Sequence, residues 1–234
     1  FFFKQKTAYE IYQCDWSSDV CSSDLLFAIS VLGVLVNPAI AAPMGFKNSW
    51  MIMGDFSKTY QELAFNYATT ANDAFGFSAS AMNTDNYVSR QQNAEAVYTR
   101  KLARWNMPEA QANIWFIGGL GATTGNTFTG TKAMASPGIQ VDYETTRFYS
   151  MASARVYAAE GATSNITTAR LGASFYEVDY DEPQPWIVVE ARRMTFVSKQ
   201  YEFTPMLRFI HKRYFVEAGA NLSGQLRFNF MYNY

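Results

Sequence analysis

The side chains that could perform catalysis are few in this sequence. The single histidine, His211, precedes Lys212 and Arg213 in a basic turn between two alternating segments. A serine hydrolase needs its histidine within hydrogen-bond reach of the serine and held there by a third polar group. A solvated basic turn does not hold an imidazole in this way, and no serine is obviously placed against it. We therefore predict that the protein is not an enzyme; an enzyme that modifies lipids through His211 is the alternative.

Two groups of side chains could bind metal ions. The acidic cluster at residues 177–182 could hold Ca²⁺ through carboxylate oxygens, but it lacks the spacing of an EF-hand and falls in a connection, where charge is ordinary. Met44, Met51 and Met53 could bind a soft metal through their thioethers, but apolar filling is the simpler interpretation. The sequence predicts no metal site and no cofactor.

The composition excludes several classes of protein. The chain has 234 residues, of which 49% are hydrophobic and 17% aromatic, and its formal net charge is -1. A nucleic-acid-binding protein would show a basic face, which this charge balance does not favour. The mean hydropathy of -0.15 and the lack of an apolar run of about 20 residues exclude a bundle of membrane-spanning helices.

Residues 1–25 differ in character from the rest of the chain. Back-translated, Lys4–Ile11 and Asp15–Leu25 resemble the two halves of a sequencing adapter, in the correct order and frame. We interpret 1–25 as a translated adapter and exclude it from the fold prediction. Both cysteines, Cys14 and Cys21, lie in this segment, so we expect no disulfide, thiol chemistry or cysteine-bound zinc.

The next segment, residues 26–41, has the features of a secretory signal that lacks its basic start. Twelve uncharged residues, Leu25–Val36, precede the breaker Asn37-Pro38 and the small residues that end at Ala41. As a helix this run would be about 18 Å long, too short to cross a bilayer. We predict cleavage after Ala41 and an exported protein with one domain over residues 42–234. A buried N-terminal strand or helix is the alternative.

Alternation of apolar and polar residues with a period of two dominates the sequence after Ser49 and is typical of strands with two unlike faces. It is clearest near the C-terminus, where Phe228 and Phe230 alternate with Arg227 and Asn229. Twelve strands are predicted, with ten as the alternative count, over residues 49–56, 61–69, 74–82, 93–104, 111–122, 136–145, 147–157, 167–176, 185–194, 201–210, 213–221 and 225–234.

The connections and the last strand indicate a particular class of fold. Several connections at one end of the strands are long, at residues 83–92, 123–135 and 158–166, and most at the other end are tight. The last strand resembles the C-terminal assembly signal of bacterial outer-membrane proteins through its alternating aromatic residues Phe228, Phe230, Tyr232 and Tyr234. Over residues 44–234 this resemblance implies an all-β fold, a closed up-and-down antiparallel barrel of about twelve strands that spans the outer membrane.

The resemblance also implies where the aromatic and partner contacts lie. Aromatic residues near strand ends would form a girdle at the two membrane interfaces. These residues are Trp50, Trp105, Tyr143, Trp186, Tyr201 and Tyr214. The implied partners are the lipids of the outer membrane and its assembly machinery, and we expect a monomer that binds no nucleic acid. Alternation alone does not say which face is wet, so a soluble barrel with an apolar interior is the alternative.

If the barrel spans a membrane, its polar face lines the lumen. The charged residues on that face are Asp55, Glu62, Asp142, Glu144, Arg147, Arg155, Arg170, Glu190, Arg192, Glu202, Arg208, Glu217 and Arg227. Both signs occur on neighbouring strands, so the charges can pair across the interior and fill it. The sequence therefore predicts a largely plugged barrel of structural, adhesive or envelope-interaction type. The alternatives are a narrow channel for small polar solutes or ions, a soluble periplasmic lipocalin-like carrier, and the lipid-modifying enzyme.

Overall fold

The computed structural model describes residues 42–177 and 182–234. The predicted adapter segment 1–25, the predicted signal segment 26–41 and two members of the acidic cluster, Asp179 and Asp181, lie outside these residues. Within the described part of the chain, no helix is long and apolar enough to cross a membrane.

Thirteen strands make up the described part of the molecule. They are β1 (Trp50–Ser57), β2 (Tyr60–Ala68), β3 (Asp73–Asn83), β4 (Arg90–Met107), β5 (Ala110–Gly125), β6 (Lys132–Ala135), β7 (Gly138–Thr145), β8 (Phe148–Ala159), β9 (Ser164–Ser174), β10 (Gln184–Met194), β11 (Glu202–His211), β12 (Tyr214–Ala220) and β13 (Leu226–Asn233).

The strands close into an antiparallel barrel. Apart from β6 and β7, consecutive strands pair with each other, and β13 returns to pair with β1, where Met53 faces Met231. Strands β6 and β7 both pair with β5 and β8, so they occupy one position that is interrupted at Ser136-Pro137. The thirteen strands therefore fill twelve positions in the ring. This confirms the predicted closed barrel of about twelve strands.

All three long loops predicted from the sequence are shorter in the structure. Strand β5 continues to Gly125 and pairs there with β4, and β6 adds a further pairing in which Thr123 faces Lys132. The predicted 123–135 loop is therefore wrong, because threonine-rich segments extend the sheet where a partner strand is available. The 83–92 and 158–166 loops are also shorter, because β4 begins at Arg90 and β9 at Ser164.

The two ends of the barrel are named here by the chain termini. Both Ala42 and Tyr234 belong to one end, where Trp50 and Tyr234 exchange backbone hydrogen bonds. We call this end the proximal mouth and the opposite end the distal mouth. The 84–89, 126–131 and 195–201 connections lie at the distal mouth, because β3, β5 and β10 all run away from the proximal one.

The outward and inward faces of the barrel are reversed relative to a soluble protein. Phe77 and Leu120 point outward and are 70% and 72% exposed, whereas the inward carboxylates Glu190 and Glu217 are 0% exposed. An apolar surface this large is unfavourable in water and is expected where lipid surrounds a closed barrel. The fold is therefore a transmembrane barrel. The soluble alternative with an apolar interior is wrong, because that arrangement would place Phe77 inside.

The lipid-facing surface predicts a depth-dependent cost for a charged substitution. Val189 lies outward at the middle of β10 and Leu226 lies outward at the distal end of β13. We expect Val189→Arg to lower the free energy of unfolding by about 2–4 kcal/mol in lipid vesicles, and Leu226→Arg by about 0–1 kcal/mol. Urea titration of the refolded variants measures both values. Equal losses at the two positions would contradict the proposed orientation.

Candidate functional site

Seven inward-facing charged residues form one connected group inside the barrel, which we call the charge network. Its members are Asp55, Arg170, Glu190, Arg192, Arg208, Glu217 and Arg227. They come from β1 and from β9 to β13, where the alternation places every second side chain in the lumen. Four positive charges therefore face three negative ones within a small buried volume.

Glu190 lies at the centre of the charge network. The Nε of Arg170, its register partner on β9, donates to Glu190 Oε2 at 2.6 Å. The Nη1 of Arg227 lies 2.7 Å from Glu190 Oε1, and the Nε of Arg192 lies 3.1 Å from the same oxygen. One carboxylate therefore meets three guanidinium groups, which offsets the desolvation of its buried charge.

Asp55 joins the two sides of the lumen. It lies on β1, and around the ring β10 is its fourth neighbour through β13, β12 and β11. Arg192 of β10 nevertheless donates to Asp55 at 2.7 Å, and Arg227 of β13 donates to it at 2.6 Å. The charge network therefore bridges the interior as well as following the wall.

Glu217 and Arg208 form a third part of the charge network. Their Cα atoms are register partners on β12 and β11, and Arg208 Nε donates to Glu217 at 2.8 Å. The Arg208 guanidinium also lies over the rings of Tyr149 and Phe215, at 4.4 Å and 4.8 Å from their centroids. Aromatic rings stabilise a desolvated guanidinium through their negative faces. Arg208 is thus held by both a carboxylate and aromatic rings.

A second cluster spans the lumen on the other side of the barrel. Arg155 of β8 donates to Glu95 of β4 at 2.9 Å, and its Nη1 lies 3.9 Å from Glu62 of β2. Ser136, at the interruption between β6 and β7, donates to Glu95 and accepts from Arg155. Gly119 leaves room for this group, because a Cβ there would collide with the Glu95 carboxylate and the Ser136 hydroxyl.

A third polar group surrounds Asp142 of β7. Its carboxylate accepts from Asn113 Nδ2 and Trp115 Nε1, each at 2.6 Å. Arg104 Nε in turn donates to Asn113 at 2.7 Å. Glu144, two residues further along β7 on the inward face, is half-buried near the proximal mouth.

Two predicted site residues, Arg147 and Trp186, are placed differently by the structure, and Glu202 lies at the edge of the lumen. Arg147 is exposed in the tight turn between β7 and β8, outside the lumen, because the strands end one residue to either side of Thr146-Arg147. Trp186 is not in the girdle: it shares the inward parity of Glu190 on β10 and is buried beneath Arg208. Glu202 faces inward but lies half-buried at the distal end of β11, opposite Arg192 in register.

The other predicted aromatic residues lie on the outer surface. Trp50, Trp105, Tyr143, Tyr201 and Tyr214 are all exposed near strand ends. On the outer face of β13 and at the residue that follows it, the aromatic side chains are Phe228, Phe230, Tyr232 and Tyr234. Their rings stack along the strand and onto β12, for example Tyr232 on Tyr214 at 4.8 Å. These positions suit an aromatic girdle and a closing strand, and both roles remain predictions.

Three lumen residues were missed by the sequence analysis: Glu95, Arg104 and Ser136. For Glu95 a signal exists, because Gln91, Asn93 and Glu95 alternate with small apolar residues. Arg104 follows a bulge at residues 101–103 of β4. After the bulge the inward and outward positions of the strand are exchanged, so alternation read from the first half of β4 does not show that Arg104 faces inward. For Ser136 a signal also exists, because it shares the inward parity of Met134 and Gln140.

The distal mouth is closed by an apolar layer. We call this group the distal layer; its residues are Tyr60, Met82, Met134, Tyr157 and Met194, with Ile166, Phe196 and Val197 packed against them. The 195–201 connection folds inward to supply Phe196 and Val197, and the N–H groups of Val197 and Ser198 donate to the Met194 carbonyl. Water therefore meets an apolar surface at this end of the lumen.

The proximal mouth is closed by the segment that precedes β1. Ala42 and Met44 are buried against Ala68, Ala74 and Trp115 inside the barrel wall. The Asn66 side-chain amide of β2 donates to the backbone carbonyl of residue 43 at 3.4 Å. We call residues 42–46 the proximal segment.

A cavity of about 240 Å³ with both polar and apolar lining residues remains above the proximal segment. Its lining includes Asp55, Glu62, Arg155, Arg170 and Gln140, so it carries ionisable groups of both signs. At about 30 Å³ per molecule the volume corresponds to roughly eight waters. Among residues 42–177 and 182–234, no group of three or more histidine, cysteine or acidic side chains could hold a metal ion.

A charged contact ties three connections together outside the distal mouth. Asp85 Oδ1 accepts from Lys58 Nζ at 2.8 Å and from Gln225 Nε2 at 2.7 Å. The hydrogen bond from Lys58 lowers the pKa of Asp85 below its ordinary value of 3.8, and the same bond raises the pKa of Lys58. The contact is solvent-exposed, so it positions the 84–89 loop more than it stabilises the fold.

Comparisons with known proteins give likenesses of fold at low similarity. A KdgM porin aligns at a TM-score of 0.45 and 13% identity over 80% of this chain and 98% of its own. A KdgM porin in complex with disordered oligogalacturonate aligns at a TM-score of 0.44 and 14% identity, with the same coverage of both chains. CdiB from Acinetobacter baumannii aligns at a TM-score of 0.30 and 9% identity, over 80% of this chain and 60% of its own. No family model matches the chain, and no curated protein matches it. The barrel is therefore assigned from its own strand pairing.

The geometry of the charge network predicts a large effect at Glu190. Replacement by alanine leaves three buried guanidinium groups without their shared carboxylate, so we expect a loss of about 3–5 kcal/mol in the free energy of unfolding. Glu160→Ala is the control, since Glu160 pairs with Lys132 at the surface and its loss should change nothing measurable. Urea titration in vesicles measures both. A Glu190→Ala barrel as stable as the control would contradict the role given to the charge network.

The Asp85 contact predicts a response to pH in the 84–89 loop. Because the pKa of Asp85 is lowered, its carboxylate stabilises the 84–89 loop fully at any pH above the ordinary aspartate pKa. This stabilisation is lost as the pH falls through the lowered pKa. Because the pKa of Lys58 is raised, its contribution is lost only as the pH rises through that raised value. Amide-exchange protection factors for residues 84–89 should therefore fall in strong acid. Asp85→Asn should show the low protection already at neutral pH; unchanged protection in this variant would refute the contact.

Proposed function

We propose that the protein is a narrow, gated channel of the outer membrane for small polar solutes or ions. The observation that carries the proposal is the cavity inside the barrel, which is lined by charges of both signs and lies between apolar groups near the two mouths. This favours the channel alternative of the sequence analysis over the largely plugged structural barrel.

The charged lining suits a hydrated passage better than a permanent filling. Buried ion pairs give little net stability compared with well-packed apolar side chains of the same volume. A barrel whose lumen only needed filling could use apolar residues, as its outer face does. Groups such as Asp55 and Arg170 would instead contact water and solutes during passage, and paired charges of both signs would set the selectivity.

Each closure includes chain that lies outside the strands. Phe196 and Val197 of the distal layer lie in the 195–201 connection, and the proximal segment precedes β1. The other side chains of the distal layer come from strands and stay in place when the connection moves. Apolar constrictions in pores block conduction by excluding water. In this proposal the structure corresponds to the closed state, and outward movement of the 195–201 connection opens the distal mouth.

The location follows from three features together. They are the predicted export signal at residues 26–41, the apolar outer surface, and the aromatic C-terminal strand. A barrel with both termini at the proximal mouth would place that mouth in the periplasm and the longer connections outside. The partners in this proposal are the membrane lipids and the assembly machinery that would read the last strand.

A filled structural or adhesive barrel is the second candidate, and one observation favours it. The side chains of Glu190 and Glu217 are wholly enclosed and that of Arg208 is almost so, as expected where the lumen is filled. In such a barrel the mouths could be opened without any gain in conductance.

Conductance in planar bilayers distinguishes the two candidates. We expect the wild-type full chain to open rarely, and Phe196→Ser with Val197→Ser to open several times more often, because polar side chains let water enter the distal mouth. The matched control is Tyr87→Ser with Val88→Ser, two exposed residues of the neighbouring distal loop, which should behave as wild type. Migration on SDS gels before and after boiling confirms that each sample is folded. If all folded samples fail to conduct, the filled barrel is correct.

A further inference from the structure

The methionines of the chain are concentrated inside the barrel. Of the ten in the sequence, nine lie in the inward apolar clusters. They are Met44, Met51, Met53, Met82, Met134, Met151, Met194, Met206 and Met231. The tenth, Met107, ends β4 at the proximal mouth.

Packing alone does not explain this distribution. Leucine and methionine have similar volumes and usually replace one another in apolar sites at small cost. Among the described residues, however, the large exposed apolar side chains include seven leucines and no methionine, and the fully buried apolar side chains include no leucine. Size and apolar character alone would allow leucine at these inward positions equally well. The preference for methionine therefore depends on the thioether group or on its flexibility.

Two of these methionines face the cavity as direct neighbours. Met53 of β1 and Met231 of β13 are register partners, and both line the cavity. Directly opposed side chains on antiparallel strands have Cβ atoms about 4.5–5.5 Å apart, so two flexible thioethers there can reach one ion. Met51 packs in the same apolar cluster as a possible third donor.

The chemistry of the site selects a class of ligand. Thioether sulfur is a soft donor that prefers Cu(I) and similar ions, whereas Mg²⁺ and Ca²⁺ prefer oxygen. Asp55 and Glu62 also line the cavity, but they are paired with arginines, so the two thioethers are the donors on which the site depends. We propose that the cavity binds a soft monovalent cation, Cu(I) or Ag(I), through Met53 and Met231. The inference rests on the proposed function only for the route by which the cation enters and leaves.

Silver titration followed by NMR tests the site directly. The full chain, labelled with carbon-13 at the methionine methyl groups and refolded in micelles, is titrated with silver nitrate in chloride-free buffer. Cys14→Ser and Cys21→Ser are present in every sample, because thiols would otherwise bind silver. We expect the Met53 and Met231 methyl resonances to shift together and to saturate at one equivalent, with no shift from sodium or potassium.

Leucine variants separate ligation from packing. Met53→Leu with Met231→Leu keeps apolar volume and should weaken silver binding at least tenfold, by the ~1.4 kcal/mol or more that this factor represents. The matched control, Met82→Leu with Met134→Leu in the distal layer, should bind as the parent does. Unshifted Met53 and Met231 resonances, or equal binding by the first variant, would overturn the proposal. Conductance without silver binding refutes only the cation site, and silver binding without conductance refutes only the channel.

Discussion

The pairing of buried arginines with carboxylates across the lumen is the interaction on which the rest of the structure depends. Arg170, Arg192 and Arg227 can lie away from water only because Glu190 and Asp55 meet them at hydrogen-bond distance. With Arg208 and Glu217, the charge network requires its charged side chains to face inward on six strands at once. Because a slip of one residue would turn a whole strand over and place its charges in lipid, the charges specify the register of the sheet.

The apolar closures and the charge network support one another. The distal layer and the proximal segment keep bulk water from the pairs, and an interaction between charges is stronger where the surroundings are less polar. Opening either mouth would hydrate the network and weaken each pair. A passage that is closed by apolar side chains and lined by paired charges therefore has two states of different hydration, which is the physical basis of the proposed gating.

The sequence predicted the sheet better than it predicted the lumen. Alternation is local, so strands such as β13 and the inward position of Glu217 could be read from neighbouring residues. Trp186 was misplaced because an aromatic residue near a strand end suits a girdle, although its parity with Glu190 already indicated the inside. Contacts such as Asp55 with Arg192 could not be predicted, because they join strands that are four positions apart in the ring.

The closures of the two mouths could not be predicted from neighbouring residues in the sequence either. Nothing in residues 195–201 signals that Phe196 turns into the lumen, since the reason lies in the apolar side chains that six other strands bring to the distal mouth. Alternation places Ser136 in the lumen, but its contact with Glu95 forms only once β4 and β8 are in position. Such features depend on the closed ring, whereas the alternation depends on each strand separately.

Quenching of tryptophan fluorescence by brominated lipids tests the orientation of the barrel most directly. Full-length variants that retain one tryptophan each, with the others replaced by phenylalanine, are refolded into vesicles. We expect strong quenching of Trp105, which is exposed on the outer surface, and little quenching of Trp186, which is buried beside Arg208. Strong quenching of Trp186 together with weak quenching of Trp105 would show that the faces are reversed, and the charged lumen would then be contradicted.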